Sequence, residues 1–210
     1  MSQPFKVRRP PAFHFRLTLK ETTGQFPGLG SVVWRDFFTH KRLPNPAQTQ
    51  TLEVPLGKIG LHIRSGTAIV LHQEPGYTIA STRRSDFSLL VSLSPGTDGI
   101  AYGKLYLDDG ESLPPTPHRE VEIFAEGGRH GGKLRLTGEG TYTPQTKLQK
   151  VAILVNDDYD GQEVGPGVTE VRINGESWGS WNWDGKLGEL VVEMVGIDLN
   201  EFTIDGIDWW

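Results

Sequence analysis

The chain has 210 residues, of which 36% are hydrophobic, 10% aromatic and 22% charged, and its formal net charge at pH 7 is −5. This composition is typical of a folded protein with a hydrophobic core. The negative charge argues against nucleic acid as a partner, because that binding rests on phosphate neutralisation. The absence of cysteine excludes disulfides and thiolate metal sites, and no apolar run approaches the roughly 20 residues of a membrane-spanning helix.

The N-terminal residues 1–25 show no clear hydrophobic periodicity, and we interpret them as an extension of the folded part. Residues 1–20 mix arginine, proline, histidine and phenylalanine without a continuous apolar segment. A secretory signal peptide needs such a segment, so we expect that this N-terminus, as written, does not act as one.

From residue 52 onward, apolar residues alternate with polar ones in short runs, which predicts strands with one side on a core and the other in water. Glycine and proline separate the runs about every eight to twelve residues, the spacing of β-sandwiches and barrels. The clearest runs are Leu52, Val54 and Leu56; Ile59, Leu61 and Ile63; Phe87, Leu89, Val91 and Leu93; Val151, Ile153 and Val155; and Leu190, Val192 and Met194. We therefore predict an all-β fold with two consecutive antiparallel β-sandwich domains.

A proline cluster marks the expected boundary between these domains. Pro114, Pro115 and Pro117 fall within four residues, and such a segment stiffens a connector but cannot lie inside a central strand. The predicted division is an extension over residues 1–25, a proximal sandwich over 26–113 and a distal sandwich over 114–210.

Four motifs between residues 26 and 112 occur in an order that is specific to one enzyme family. They are Phe26-Pro27 with Trp34-Arg35-Asp36-Phe37-Phe38-Thr39; Val54-Pro55-Leu56 with His62, Arg64 and Gly66; Glu74-Pro75-Gly76-Tyr77-Thr78; and Leu105-Tyr106-Leu107-Asp108-Asp109-Gly110-Glu111-Ser112. The series resembles the C-terminal β-sandwich region of the glycoside hydrolase family 31 α-glucosidases, most closely the fungal secreted members. From residue 118 onward the resemblance is one of pattern and not of motif.

The resemblance implies a partner that this chain does not contain. In the family, two aspartates on an upstream (β/α)₈ barrel of roughly 250 residues perform the hydrolysis. Only about 25 residues precede the matching segment, so no catalytic residue can be carried over, and whether the chain is itself an enzyme stays open. We expect a non-catalytic accessory region that supports a family 31 barrel in cis or in trans, located outside the cell and using no cofactor. The motif residues expected to be structural are Trp34, Asp36, His62, Arg64, Gly66, Asp108, Asp109 and Gly110.

The acidic segment with Asp108, Asp109 and Glu111 has two interpretations. The residues could supply a carboxylate pair for glycoside cleavage. The alternative is a solvated turn after a strand, because Asp-Gly is a frequent hairpin sequence and adjacent residues of a strand point to opposite faces.

Tryptophans are concentrated near the end of the chain, with five of the six between residues 178 and 210. Trp178, Trp181 and Trp183 could form an aromatic platform for α-glucan or a maltooligosaccharide, since alternation places Trp181 and Trp183 on one face of a strand. The other interpretation is a packed core or a domain interface, where large aromatic residues are common.

A weak metal-binding pattern lies in the second half of the chain. Asn156, Asp158 and Asp160, followed by Gly161, match the start of a calcium-binding loop. Gly167 stands where the bidentate glutamate belongs, so the other interpretation is a polar turn.

Overall fold

The structure, a computed structural model, describes residues 21–28, 31–44, 49–113, 116–156, 167–200 and 203–210. Within these ranges lie fifteen β-strands and one helical turn, so the predicted all-β fold is confirmed. The helical turn is the four-residue α1. No helix in the described ranges is long and apolar enough to cross a bilayer.

The strands before the proline cluster are β1 Glu21–Gln25, β2 Trp34–Asp36, β3 Thr49–Glu53, β4 His62–Arg64, β5 Thr67–His72, β6 Phe87–Ser92 and β7 Gly99–Asp108, with α1 Ile79–Thr82 between β5 and β6. The strands after it are β8 His118–Gly128, β9 Gly131–Gly140, β10 Lys147–Leu154, β11 Val171–Ile173, β12 Glu176–Ser177, β13 Trp181–Asp184, β14 Glu189–Asp198 and β15 Thr203–Trp209.

Eleven of the described strands form one large sheet, in the order β12-β11-β15-β9-β8-β7-β5-β6-β10-β14-β13. The pairs β1–β3 and β2–β4 form two small antiparallel sheets. Neighbours in the large sheet are antiparallel except at β5–β7 and β6–β10. Both parallel pairs join strands that are not consecutive in the chain: β7 follows β6 but pairs with β5, and β10 follows β9 but pairs with β6.

The large sheet curls so that its two halves enclose one core. Buried side chains of β6 and β10, such as Leu89 and Val151, belong to the same hydrophobic cluster as Ile123 on β8, Leu134 on β9 and Trp209 on β15. Because the β5–β7 contact separates these two groups of strands in the sheet, they can share a core only if the sheet folds over at that contact.

The proline cluster lies between strands of this one sheet. Thr116 and Pro117 precede β8, whereas Pro114 and Pro115 lie outside the described residues. Strands from both sides of the cluster contribute to the large sheet and to its core. The motif-bearing part of the sequence thus ends at residue 113 while the sheet continues, and separate folding of the segments 26–113 and 114–210 stays a prediction.

A second, smaller core covers the outer face of β5, β6 and β10. Ile63 on β4 packs with Leu90, Ala152 and Leu154, and Phe37 and Ile69 border this cluster. The small sheet β2–β4 therefore lies on the outside of one half of the large sheet, and it carries the first two family motifs with it.

Candidate functional site

The first family motif folds into a turn that is organised by Asp36. One carboxylate oxygen of Asp36 accepts hydrogen bonds from the backbone N–H groups of Phe38 at 3.0 Å and Thr39 at 2.8 Å, and from the Thr39 hydroxyl at 2.9 Å. Burial acts to raise the pKa of Asp36, but these hydrogen bonds outweigh it and leave the pKa below its ordinary value. The carboxylate therefore stays charged and holds the turn.

Trp34 and His62 belong to an aromatic contact that closes the other side of this small sheet. The Phe26 ring meets Trp34 and His62 edge to face, at centroid distances of 5.4 and 5.1 Å. The Trp34 indole donates to the backbone oxygen of Pro27 at 3.1 Å. Burial lowers the pKa of His62, against the opposing charge of Asp36, which suits a neutral packing role.

Arg35 is the anchor that joins the first motif to the large sheet. Its guanidinium is fully buried and donates to the backbone oxygens of His40, Leu187 and Val155 at 2.7–2.8 Å. Two further N–H groups donate to the side-chain oxygen of Asn156 at 3.0 and 2.8 Å. Desolvation, with a smaller contribution from the neighbouring Arg42, lowers the pKa of Arg35 to about 9.

The second motif ends in a tight turn at the edge between the two cores. Arg64 is exposed, and Gly66 has a φ of +83°, the left-handed conformation that favours glycine. Ser65 forms a backbone hydrogen bond to Val33 and accepts a second one on its hydroxyl at 3.0 Å. Gly66 donates to the backbone oxygen of Ser92 at 2.7 Å, so this turn ties β4 to β6.

Four large apolar side chains beside these motifs lie in solvent, and we name them the apolar surface: Phe38, Leu56, Ile59 and Leu61. Leu56 is 91% exposed, Ile59 75% and Phe38 61%. The backbone N–H of Phe37 donates to Leu61, which places the turn after β2 next to the loop before β4. Alternation predicted that Leu56, Ile59 and Leu61 face a core; that prediction is wrong, because β3 ends at Glu53 and β4 begins at His62.

The acidic segment is a turn held by its own side chains. Asp109 accepts hydrogen bonds from the backbone N–H groups of Glu111 and Ser112, both at 3.0 Å, and from the Ser112 hydroxyl. Gly110 has a φ of +71°. Arg83 donates to the backbone oxygen of Asp108 and lies 3.3 Å from its carboxylate. These contacts support the turn interpretation.

Acid should loosen this turn in a defined pH range. Hydrogen bonds from Ser112 and Glu111 lower the pKa of Asp109 from its ordinary value of 3.8 to about 2. Because the pKa of Asp109 is lower in the folded than in the unfolded chain, its carboxylate stabilises the turn fully above about pH 4. This stabilisation is lost as the pH falls towards 2. In a series of thermal melts between pH 4 and 2, Asp109→Asn should flatten the fall in Tm relative to the unchanged chain. Glu111→Gln, on the same turn, should leave the curve unchanged, and an equal flattening would contradict the assignment.

The predicted aromatic platform packs against the core. Trp178, Trp181 and Trp183 are partly buried and contact the main hydrophobic cluster. The Trp178 indole donates to the backbone oxygen of Glu193 at 3.0 Å. Among the described residues no acceptor lies within hydrogen-bond distance of the buried Trp183 indole nitrogen. These positions match the packing interpretation, and sugar binding by the three residues stays a prediction.

The predicted metal ligands are only partly described. Asn156 is fully buried, its side-chain oxygen accepts from Arg35, and its amide donates to the backbone oxygen of Leu93 at 2.6 Å. Asp158 and Asp160 lie outside the described residues, so the calcium site stays a prediction. A guanidinium beside Asn156 is an unfavourable neighbour for a cation.

Known proteins that match this chain are much longer than it is. The chain is 42% identical to Glucoamylase 1 of Candida albicans over 137 residues, which are 65% of this chain and 14% of that protein. It is 33% identical to the α-glucosidase of Aspergillus oryzae over 195 residues, which are 89% of this chain and 18% of that protein. The chain is related to the family 31 glucosidases. It spans less than a fifth of either relative's length, and no protein-family model matches it.

The solved structure of a glucosidase II α subunit has the same fold as this family 31 region. The two align with a TM-score of 0.63 over 92% of this chain and 21% of that chain, at 20% identity. An identity this low supports the fold alone. Together with the sequence relatives it is consistent with the C-terminal β-sandwich region that the motifs indicated.

Proposed function

We propose that the chain is the C-terminal accessory region of an α-glucosidase, non-catalytic by itself, that supports a family 31 catalytic barrel. The apolar surface carries this proposal. Single exposed apolar residues are ordinary, but four on two hydrogen-bonded loops next to a buried anchor are a reason to propose a docking surface. The parent reaction on this proposal is hydrolysis of terminal α-linked glucose, and the location is extracellular.

The structure gives the proposed docking surface a rigid base. Asp36 holds the turn that presents Phe38, and Arg35, one residue earlier, is fixed to Val155 and Asn156 at the end of β10. A barrel that packs on Phe38 would therefore be coupled through this turn to the end of β10. The length of the curated relatives favours a barrel in cis.

A chimera tests the proposal. The matching region of the Aspergillus oryzae α-glucosidase is replaced by this chain, with and without the double substitution Leu56→Lys and Ile59→Lys. We expect the unchanged chimera to hydrolyse maltose and the double variant to lose about tenfold or more of its activity, because two charges would be buried at the interface. The isolated 210-residue chain should not hydrolyse an aryl α-glucoside above the buffer rate.

Ile100→Lys is the matched control for this experiment. Ile100 is also an exposed apolar residue, but it lies on β7, in the other half of the curled sheet, opposite Glu126. The control chimera should keep its activity. As isolated 210-residue chains, the double variant and the control should have the same Tm as the unchanged chain. Equal activity in the double variant and the control would contradict the docking surface, and turnover by the isolated chain would contradict the accessory role.

A further inference from the structure

A cleft of about 650 Å³ opens at one end of the large sheet, on the half that does not carry the apolar surface. Its lining includes Trp210, Arg172, Asp208, Lys133, Glu126 and Asp98, together with four glycines. The volume lies in the range of small-molecule sites in proteins. None of the tryptophans that the sequence singled out as a platform lines this cleft.

The charged residues of the cleft form an ordered row across four neighbouring strands. Arg172 on β11 is directly opposite Asp208 on β15, Asp208 is opposite Lys133 on β9, and Lys133 is opposite Glu126 on β8. Directly opposite residues share a face of a sheet, so the four side chains stand side by side on the outer face. Lys133 and Glu126 form an ion pair of 3.1 Å.

Trp210 closes one end of this row. The Arg172 guanidinium lies over one face of the indole ring, 4.8 Å from its centroid, and Trp210 as a whole is 38% exposed. The backbone of Trp210 is held by Thr169 and Glu170, with hydrogen bonds of 2.7 and 3.0 Å to its carbonyl oxygen. The ring is thus presented by a fixed backbone, and a substitution of its side chain leaves these bonds in place.

The chemistry of the lining favours a neutral polyhydroxylated ligand. The two cations and two carboxylates of the row alternate and neutralise one another, and Asp98 adds one carboxylate, so the cleft offers little net attraction to an ion. The same groups keep free hydrogen-bonding positions, and a sugar hydroxyl both donates and accepts. An exposed indole adds the flat apolar surface on which the C–H face of a pyranose packs.

We propose that this cleft binds an α-glucan oligosaccharide, with the sugar packed against Trp210 and its hydroxyl groups bonded to Asp208, Lys133 and Glu126. The choice of an α-linked glucan rests on the proposed function, whereas the position of the cleft does not. Exposed Tyr102 and Phe124, opposite each other on β7 and β8, extend the same outer face beyond the row.

A titration of the ¹⁵N-labelled chain with maltoheptaose, followed through the six tryptophan indole signals, tests the proposal. We expect saturable movement of the Trp210 signal below about 10 mM sugar. Trp210→Ala and Asp208→Asn should each weaken binding about tenfold. The alanine variant has no Trp210 signal, so its affinity is measured by calorimetry. Tyr106→Ala is the control, because it also removes an exposed aromatic ring. Tyr106 lies on β7, six residues beyond Ile100, which is opposite Glu126 of the row, so it is roughly 20 Å from the row.

Three results would overturn the proposal. One is a folded chain whose indole signals do not move with maltoheptaose. Another is binding that survives Trp210→Ala but is lost in Trp181→Ala, which would place the sugar on the tryptophans of β13. The third is equal affinity for cellohexaose, which would refute an α-glucan site. The chimera experiment tests a different surface, so a failure here and a failure of docking are distinguishable.

Discussion

Replacing Arg35 by methionine should lower the free energy of unfolding of the chain by about 3–5 kcal/mol, because several oxygens lose a hydrogen bond from a charged donor and each unsatisfied buried group costs about 1–3 kcal/mol. The substitution keeps the aliphatic volume but leaves the backbone oxygens of His40 and Leu187 and the side-chain oxygen of Asn156 without the Arg35 donor. Each buried acceptor that loses its partner carries a desolvation cost. Urea denaturation of the purified chain measures the effect.

Arg35→Lys separates hydrogen bonding from charge. A lysine keeps the charge but has three donors at one point, so it cannot reach four acceptors arranged around a planar fork. We expect it to recover only part of the loss. Arg64→Ala, the exposed arginine of the neighbouring strand, should change stability by no more than about 0.5 kcal/mol. If Arg35→Met behaved like Arg64→Ala, the guanidinium would not be an anchor.

The sequence predicted the fold class because the strands follow a simple rule. Leu89, Val151 and Val192 lie in period-two runs, and each is buried in the shared core as the alternation requires. The rule failed where strands are short. Leu56 and Ile59 continue an alternating pattern, but they fall in a loop between β3 and β4 and lie exposed.

The sequence did not predict which residues far apart in the chain come into contact. Arg35 lies within a recognised motif, yet its partner Asn156 lies 121 residues away, and the sequence offered Asn156 only as a weak cation ligand or as part of a polar turn. Periodicity indicates which face of a strand is apolar, but it does not predict which strands pair with each other in the sheet. The cleft depends on such pairing, because Arg172, Asp208 and Lys133 meet only through the order β11-β15-β9.

A side chain at Gly103 should destabilise the chain, because two parts of the backbone approach each other closely at the point where the large sheet folds over. Gly103 lies on β7, and a Cβ placed there would overlap the carbonyl oxygen of Ala68 on β5 and come within 3.0 Å of the Ala68 Cβ. Backbone atoms cannot move aside as a flexible side chain can. We expect Gly103→Ala to cost about 1–3 kcal/mol in urea denaturation, and Gly103→Val to cost more.

Gly179→Ala is the matched control, since no heavy atom lies within 4 Å of the added Cβ and its φ is not in the left-handed region. It should change the free energy of unfolding by no more than about 0.5 kcal/mol.

The location of Gly103 also predicts which parts of the chain lose protection from amide hydrogen exchange. The β5–β7 contact is the only pairing in the described sheet that joins its two halves, so separating these strands opens the core shared by Leu89 and Ile123. Both halves should therefore lose amide-exchange protection together in Gly103→Ala. If only the half with β6 and β10 lost protection, the two halves of the large sheet would not share one cooperative core.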